Sequence, residues 1–367
     1  MNTLQRLHAE QDQSPWIDFI DRKLIASGRL AELVNGGIRG LTSNPTIFGK
    51  AVASGQYDEL IRREIDAGDD SQGIYEEIAV ADVGDAADVL RPVYDDADGA
   101  DGFVSIEVEP NLADDTEASL ERARHLWGRL KRPNVFVKIP ATPAGLPAIE
   151  NAIAEGININ VTLMFSVDVY RDVARAYIAG LRRRLERGED VSRVASVASF
   201  FVSRVDTKVD KRLDEIGTDA ARALRGQAAI ANAKLAYEAY GEIFGGQEFS
   251  ALREAGARVQ RCLWASTSTK NPDYRDVLYV EELIGPHTVD TMPLETIEAF
   301  LDHGQVERTL DSDIGGARHA LRQIEAQGFE MRQVTDELIS EGVASFAKSF
   351  DELIAAIDSQ RKALAPA

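Results

Sequence analysis

The run NINVTLMF at residues 158–165 alternates polar and apolar side chains with a period of two. Asn158, Asn160 and Thr162 share one face, and Ile159, Val161, Leu163 and Phe165 share the other, as successive side chains do on a β-strand. Seven further short runs rich in β-branched and apolar residues lie at roughly 16–20 (WIDFI), 38–43 (IRGLTS), 102–108 (GFVSIEV), 135–141 (VFVKIPA), 194–202 (VASVASFFV), 261–267 (RCLWAST) and 287–292 (HTVDTM). Helical patterns separate most of them. One is DTEASLERARHLWGRL at 115–130, with Asp115 in the capping position, and another is SVDVYRDVARAYIAGLRRRLERG at 166–188, which starts at Ser166 and stops at Gly188. Strands alternating with helices imply βαβ units and a parallel sheet. Eight repeats point to a closed (β/α)8 TIM barrel, with an open doubly wound sheet as the alternative. Parallel strands covered by helices should read as nearly continuous apolar runs. The polar set in 158–165 is therefore expected to face the barrel axis.

The 367 residues exceed what eight plain repeats need. The surplus falls in two helical insertions, about 45–100 and 206–258, and in a long C-terminal helix over about 329–358. With no linker or break in composition, the whole chain, 1–367, is expected to form one enlarged barrel domain.

Acidic residues number 61 against 41 basic ones, a net charge of −20. That argues against nucleic acid and anionic membrane as partners, which are bound through basic surfaces. It leaves an anionic small substrate open, because a local cluster of cations can overrule the global sign. The one cysteine, Cys262, excludes a disulfide framework and a cysteine zinc cage. The N-terminus has no apolar signal region, and no run of 18 apolar residues exists to span a membrane. The five histidines are scattered, and neither a GxxxxGK[ST] loop nor a GxGxxG turn after a strand is present. A cytoplasmic enzyme using neither cofactor nor metal is the class that remains.

The polar inward positions narrow the chemistry. Lys138 shares a face with Phe136 inside the otherwise apolar VFVKIPA. Lysine is almost never fully buried unless paired. Desolvation disfavours the charged ammonium and makes the neutral amine available for Schiff-base formation with a carbonyl substrate. Glu107 and Asp18, on neighbouring strands, are carboxylates of the kind needed to move protons during dehydration and C–C cleavage. The structural alternative is a lysine that snorkels to water or joins Glu107 and Asp18 in an internal ion network. Ser199 and Phe201 share the inward face of their strand.

These residues lie in blocks that resemble a known family. GLTSNPTIF (Gly40–Phe48) resembles the first transaldolase signature, and VFVKIPATPAG (Val135–Gly145) resembles the second, which carries the Schiff-base lysine. GININVTLMFS (Gly156–Ser166), SIEVEPNLADDT (Ser105–Thr116) and SFFVSR (Ser199–Arg204) match three further blocks, in the family's order. The resemblance implies a class I transaldolase of the pentose phosphate pathway on a (β/α)8 barrel. Such an enzyme moves a dihydroxyacetone unit from fructose 6-phosphate or sedoheptulose 7-phosphate to an aldose phosphate. By motif position, Lys138 is the Schiff-base nucleophile and Glu107 the general acid/base, working through a water held by Thr162. The resemblance implies that Asp18 handles the C4 hydroxyl proton. It likewise implies that Asn44 and Asn160 donate to the dihydroxyacetone unit, that Ser199 and Arg204 bind phosphate, and that Phe201 forms part of the wall.

The match has departures. After the seventh strand the chain reads WASTSTKNP, where a well-studied branch has an arginine, so Lys270 is the nearest candidate for a second phosphate ligand. The long insertions resemble an actinobacterial or plant-like branch, as a monomer or homodimer. The closest rival is a fructose 6-phosphate aldolase-like lyase, a group that typically has glutamine at the position of Glu107 and tyrosine at that of Phe201. A non-catalytic sugar-phosphate-binding barrel is the rival from another class.

Overall fold

The computed structural model describes residues 1–364. Its strands are β1 (Gln13–Ile17), β2 (Val104–Glu107), β3 (Val135–Pro140), β4 (Ile159–Met164), β5 (Ser196–Phe201), β6 (Arg261–Ala265) and β7 (Thr288–Met292). All pair in parallel, in the order β1-β7-β6-β5-β4-β3-β2. Nearly every strand residue is buried, as expected of strands covered on both sides.

The eighth expected strand, 38–43, contracts to a single bridging residue. Leu41 pairs with Ile17 of β1 and Val104 of β2 and so closes the sheet into a (β/α)8 barrel. The backbone around it is fully engaged. Arg39, Ile17 and Thr42 amides bond across to Pro15, Gly40 and Ile17 carbonyls at 2.8–3.0 Å, and Gly102, Leu41 and Ser105 amides bond to Arg39, Phe103 and Leu41 carbonyls at 2.9–3.0 Å. The segment is held this tightly because Gly40 lies against the Trp16 indole, where a Cβ would stand 2.3 Å from the ring. The first expected strand, 16–20, also shifts to Gln13–Ile17. Asp18 therefore sits just past the strand end, although its amide still bonds the Met292 carbonyl at 2.9 Å.

The barrel interior is layered. Trp16 stacks on Phe136 at 6.2 Å between centroids, and Phe136 on Phe103 at 4.2 Å. This aromatic layer separates a polar cluster at the N-terminal end from another at the C-terminal end. In the lower cluster, the Asp101 carboxylate accepts from Ser14 Oγ (2.5 Å), Trp16 Nε1 (3.0 Å) and Arg39 Nε (2.8 Å), with Arg261 at 3.5 Å.

The expected helix starts are found, with Asp115 capping Thr116–Leu130 and Ser166 capping Val167–Glu186. The 45–100 region holds three helices, Pro45–Ala53, Asp58–Ala67 and Ser71–Asp96. The 206–258 region contains most of Ser203–Ile216 and all of Ala228–Gly245. The last helix, Met331–Leu364, runs across the C-terminal end of the barrel, packing on Pro45–Ala53 and Ser203–Ile216. Thr46 Oγ1 donates to Ser349 Oγ at 3.0 Å, and Tyr75 packs edge-on against Phe350. Among the described residues, no helix is long and apolar enough to cross a membrane.

Candidate active site

Parallel strands deliver their last inward side chains to one end of a barrel. In register, Glu107 of β2 pairs with Lys138 of β3, and Lys138 with Asn160 of β4, so three of the expected site residues stand at one level. Lys138 Nζ lies 3.5 Å from Glu107 Oε2 and donates to the Ser43 carbonyl at 3.1 Å. The side chains of this pair are only 7% and 6% exposed. At 3.5 Å the contact is an ion pair with a weak hydrogen bond, so neither group is saturated.

Asp18 Oδ1 accepts from Thr42 Oγ1 at 2.7 Å, and Thr42 shares a further 2.7 Å hydrogen bond with Thr291. Burial pushes the Glu107 carboxyl above the ordinary carboxylate range, against the pull of Lys138. Burial raises Asp18 in the same way, opposed by Lys138, Thr42, Arg204 and Asn44. A buried Glu107 and a half-buried Asp18, both reluctant to ionise beside an amine, make a set of groups able to exchange protons.

Above them opens a cavity of 490 Å³, the size of a small-molecule site. Asp18, Asn44, Lys138, Thr162, Ser199, Phe201, Arg204 and Lys270 all line it. Two expected site residues do not. Asn160 is fully buried beneath the floor, its amide donating to Ser105 Oγ at 3.0 Å and accepting from Ser199 Oγ at 2.6 Å. One N–H of that amide remains for a ligand. Glu107 faces a small adjoining cavity with Pro140, Leu163, Val343 and Phe346. Thr162 Oγ1 is buried and has no protein partner, so it can hold a small polar ligand.

Asn44 has two parts to play. Its side-chain oxygen caps the Pro45–Ala53 helix by accepting from the Ile47 amide at 3.2 Å, which is the turn-forming role expected of Asn before Pro. Its amide nitrogen is turned towards Asp18 and the cavity. Lys270 reaches the rim, where it donates to Ser268 Oγ at 2.6 Å. Arg204 stands in the first turn of Ser203–Ile216, 5.0 Å from the Phe201 ring centroid and 5.7 Å from that of Phe346. Burial draws its pKa down, while Asp18 and Glu107 pull it up. Among the described residues, no group of three His, Cys, Asp or Glu side chains converges as metal ligands.

One sequence expectation fails at the end of β4. The alternation of 158–165 placed Leu163 and Phe165 outward with Val161. Instead the strand bulges between Val161 and Met164, and Leu163 adopts a left-handed φ of 61°. A β-branched or bulky residue rarely takes this conformation, and a bulge re-aims the side chains that follow it. Leu163 and Phe165 meet Gly342 of the last helix, and Phe165 packs on Phe201 at 5.3 Å.

A model of the family described as transaldolase/fructose-6-phosphate aldolase matches residues 15–357. The chain belongs to this family. It is 48% identical to the transaldolase of Mycobacterium ulcerans (strain Agy99) over 96% of this chain and 95% of that one. It is 50% identical to the transaldolase of Thermobifida fusca (strain YX), covering 94% and 95%. With transaldolase 2 of Streptomyces coelicolor it shares 47% identity over 100% of this chain and 99% of the relative.

Sequence reasoning missed several residues that line or adjoin this cavity. Thr42 and Ser43 were visible inside GLTSNPTIF, since a motif that ends in the site brings its neighbours there. Lys50, Thr291 and Glu295 also line the cavity, but stand alone in sequence. Phe346 carried no signal, because its helix returns to the site from the far end of the chain.

Proposed function

We propose that this chain is a transaldolase, transferring a dihydroxyacetone unit between ketose and aldose phosphates through a Schiff base on Lys138. The observation that carries the reading is the buried Lys138 amine, 3.5 Å from Glu107, beneath a cavity that also receives Asp18 and Arg204. Lys138 Nζ attacks the C2 carbonyl of fructose 6-phosphate or sedoheptulose 7-phosphate. Glu107, through a water held by Thr162, moves the protons that let the carbinolamine lose water. Asp18 takes the proton of the C4 hydroxyl, the C3–C4 bond breaks, and the electron pair passes into the iminium as an enamine. The aldose phosphate leaves. The enamine then attacks the aldehyde of glyceraldehyde 3-phosphate or erythrose 4-phosphate, and the same steps reverse to release the new ketose.

Asn44 and Asn160 supply amide donors to the hydroxyls of the retained unit. Arg204 binds phosphate with a fork of N–H groups, aided by Ser199 and by Lys270 at the rim, with Phe201 as the wall. The reading places the enzyme in the cytoplasm, as one barrel domain spanning the chain, acting as a monomer or homodimer. Borohydride added with fructose 6-phosphate should fix a mass increase on the Lys138 peptide, and an unmodified peptide would refute the Schiff base. Free dihydroxyacetone should stay low without erythrose 4-phosphate. Rapid release in its absence would assign the aldolase reaction instead.

A further inference from the structure

The helix Ser203–Ile216 presents Arg204, Lys208 and Arg212 at four-residue spacing, which places them on one face. That face meets the last helix, Met331–Leu364. Arg212 pairs with Glu337 at 2.7 Å, and Lys208 pairs with Glu337 at 2.8 Å and with Glu341 at 2.5 Å. The next cation along the same face is Arg204, and here the last helix offers an aromatic ring, Phe346, at 5.7 Å. Phe201 lies against the same guanidinium at 5.0 Å. Among the described residues Arg204 has no ion-pair partner and donates no hydrogen bond. A carboxylate at this rung would neutralise the guanidinium and occupy its fork of donors. Aromatic faces instead fix its position by cation–π attraction and leave every N–H available.

We propose that Phe346 is a positioning residue for phosphate recognition, holding Arg204 against Phe201 with its donors free, and that the Glu337 and Glu341 pairs set the register that brings Phe346 there. The inference rests on the reading of Arg204 as the phosphate ligand. Preorganising a guanidinium lowers the ordering cost of binding, so losing the ring should weaken the phosphate contact and leave the carbonyl chemistry alone.

The test uses the full chain with D-glyceraldehyde as a phosphate-free acceptor, and compares fructose 6-phosphate with fructose as donor. F346A should raise KM for fructose 6-phosphate about fivefold to tenfold with kcat within about twofold, and leave kcat/KM for fructose unchanged. Inhibition by inorganic phosphate should weaken by the same factor. F346L, which keeps the apolar volume and loses the ring, should behave like F346A and guards against a folding defect. F346W should restore most of the phosphate preference. Phe346→Glu should lose that preference almost wholly. An equal loss on both donors, or unchanged phosphate inhibition in F346A and F346L, would overturn the proposal. A wild-type protein that transfers nothing from fructose 6-phosphate would overturn the underlying reading instead, so the two failures are distinguishable.

Discussion

At the N-terminal end of the barrel Asp101 receives hydrogen bonds from Ser14, Trp16 and Arg39 within 3.0 Å and has Arg261 at 3.5 Å. At the C-terminal end Glu107 faces one amine at 3.5 Å, and Asp18 is held by one hydroxyl at 2.7 Å. Asp101 and Glu107 are buried by the same wall of strands, and Asp18 is half-buried at its end. Burial alone would raise the Asp101 pKa, but Arg261 and Arg39 hold it below the ordinary range. Glu107 and Asp18 stay above it. The lower cluster is saturated and serves stability, whereas the upper one is left short of partners and can exchange protons with a ligand. A buried ionic group thus reads as structural or chemical by its count of partners, not by its burial.

Replacing Lys138 by methionine is the strongest way to break this contrast. K138M should lose both transfer activity and borohydride trapping down to background while unfolding cooperatively, checked by mass spectrometry and thermal melting. Glu107→Gln should lower kcat about 10²- to 10⁴-fold, with inorganic phosphate still bound, measured by steady-state kinetics and inhibition. Asp101→Asn should leave the chemistry nearly intact but cost about 3 kcal/mol of stability, because Arg39 and Arg261 would lose a buried counter-charge. Denaturant unfolding would show it.

The pH dependence sharpens the same comparison. The folded-state pKa of Asp101 lies below its unfolded value of about 3.9. Its stabilising contribution is therefore complete above that value and is lost as pH falls through the folded pKa. Wild type and D101N should differ by a constant amount at neutral pH and converge only below about pH 4. For Asp18 and Glu107 the sign reverses: their raised pKa values favour folding at low pH, and that contribution is lost as pH rises. In the proposed mechanism Asp18 must be ionised to accept the C4 hydroxyl proton, so the acidic limb of kcat/KM should lie above about pH 4. Asn44 gives the smallest effect. N44D should keep the helix cap and lose the amide donor, lowering kcat/KM with little change in melting. N44A should lose both, at about 1 kcal/mol of stability.

The barrel and much of its site could be read from the chain because period-two polarity is a local property. Asn160, Thr162, Lys138 and Glu107 each announce an inward face within a few residues. The misreadings arise where distant elements decide. Segment 38–43 has strand composition, but the Trp16 indole against Gly40 and two neighbouring strands set how it pairs. Leu163 leaves the alternation because the strand bulges under a helix that begins at residue 331. The Asp101 cluster gathers a loop, a seam and two strand ends, none of which shares a pattern in sequence. Phe346 stands 142 positions from the arginine it touches, as their residue numbers show.

The closure at Leu41 bears on how the molecule matures. Residues 39–42 join the first strand to the second and lead directly into Ser43, whose carbonyl receives the Lys138 amine, and into Asn44, which lines the cavity. The first 44 residues are synthesised before Val104 and Lys138, so this seam waits for its second neighbour. Until it docks, the sheet has two open edges and the lysine lacks one of its two protein partners. The segment that bridges the first and second strands thus also delivers the carbonyl that receives the Lys138 amine.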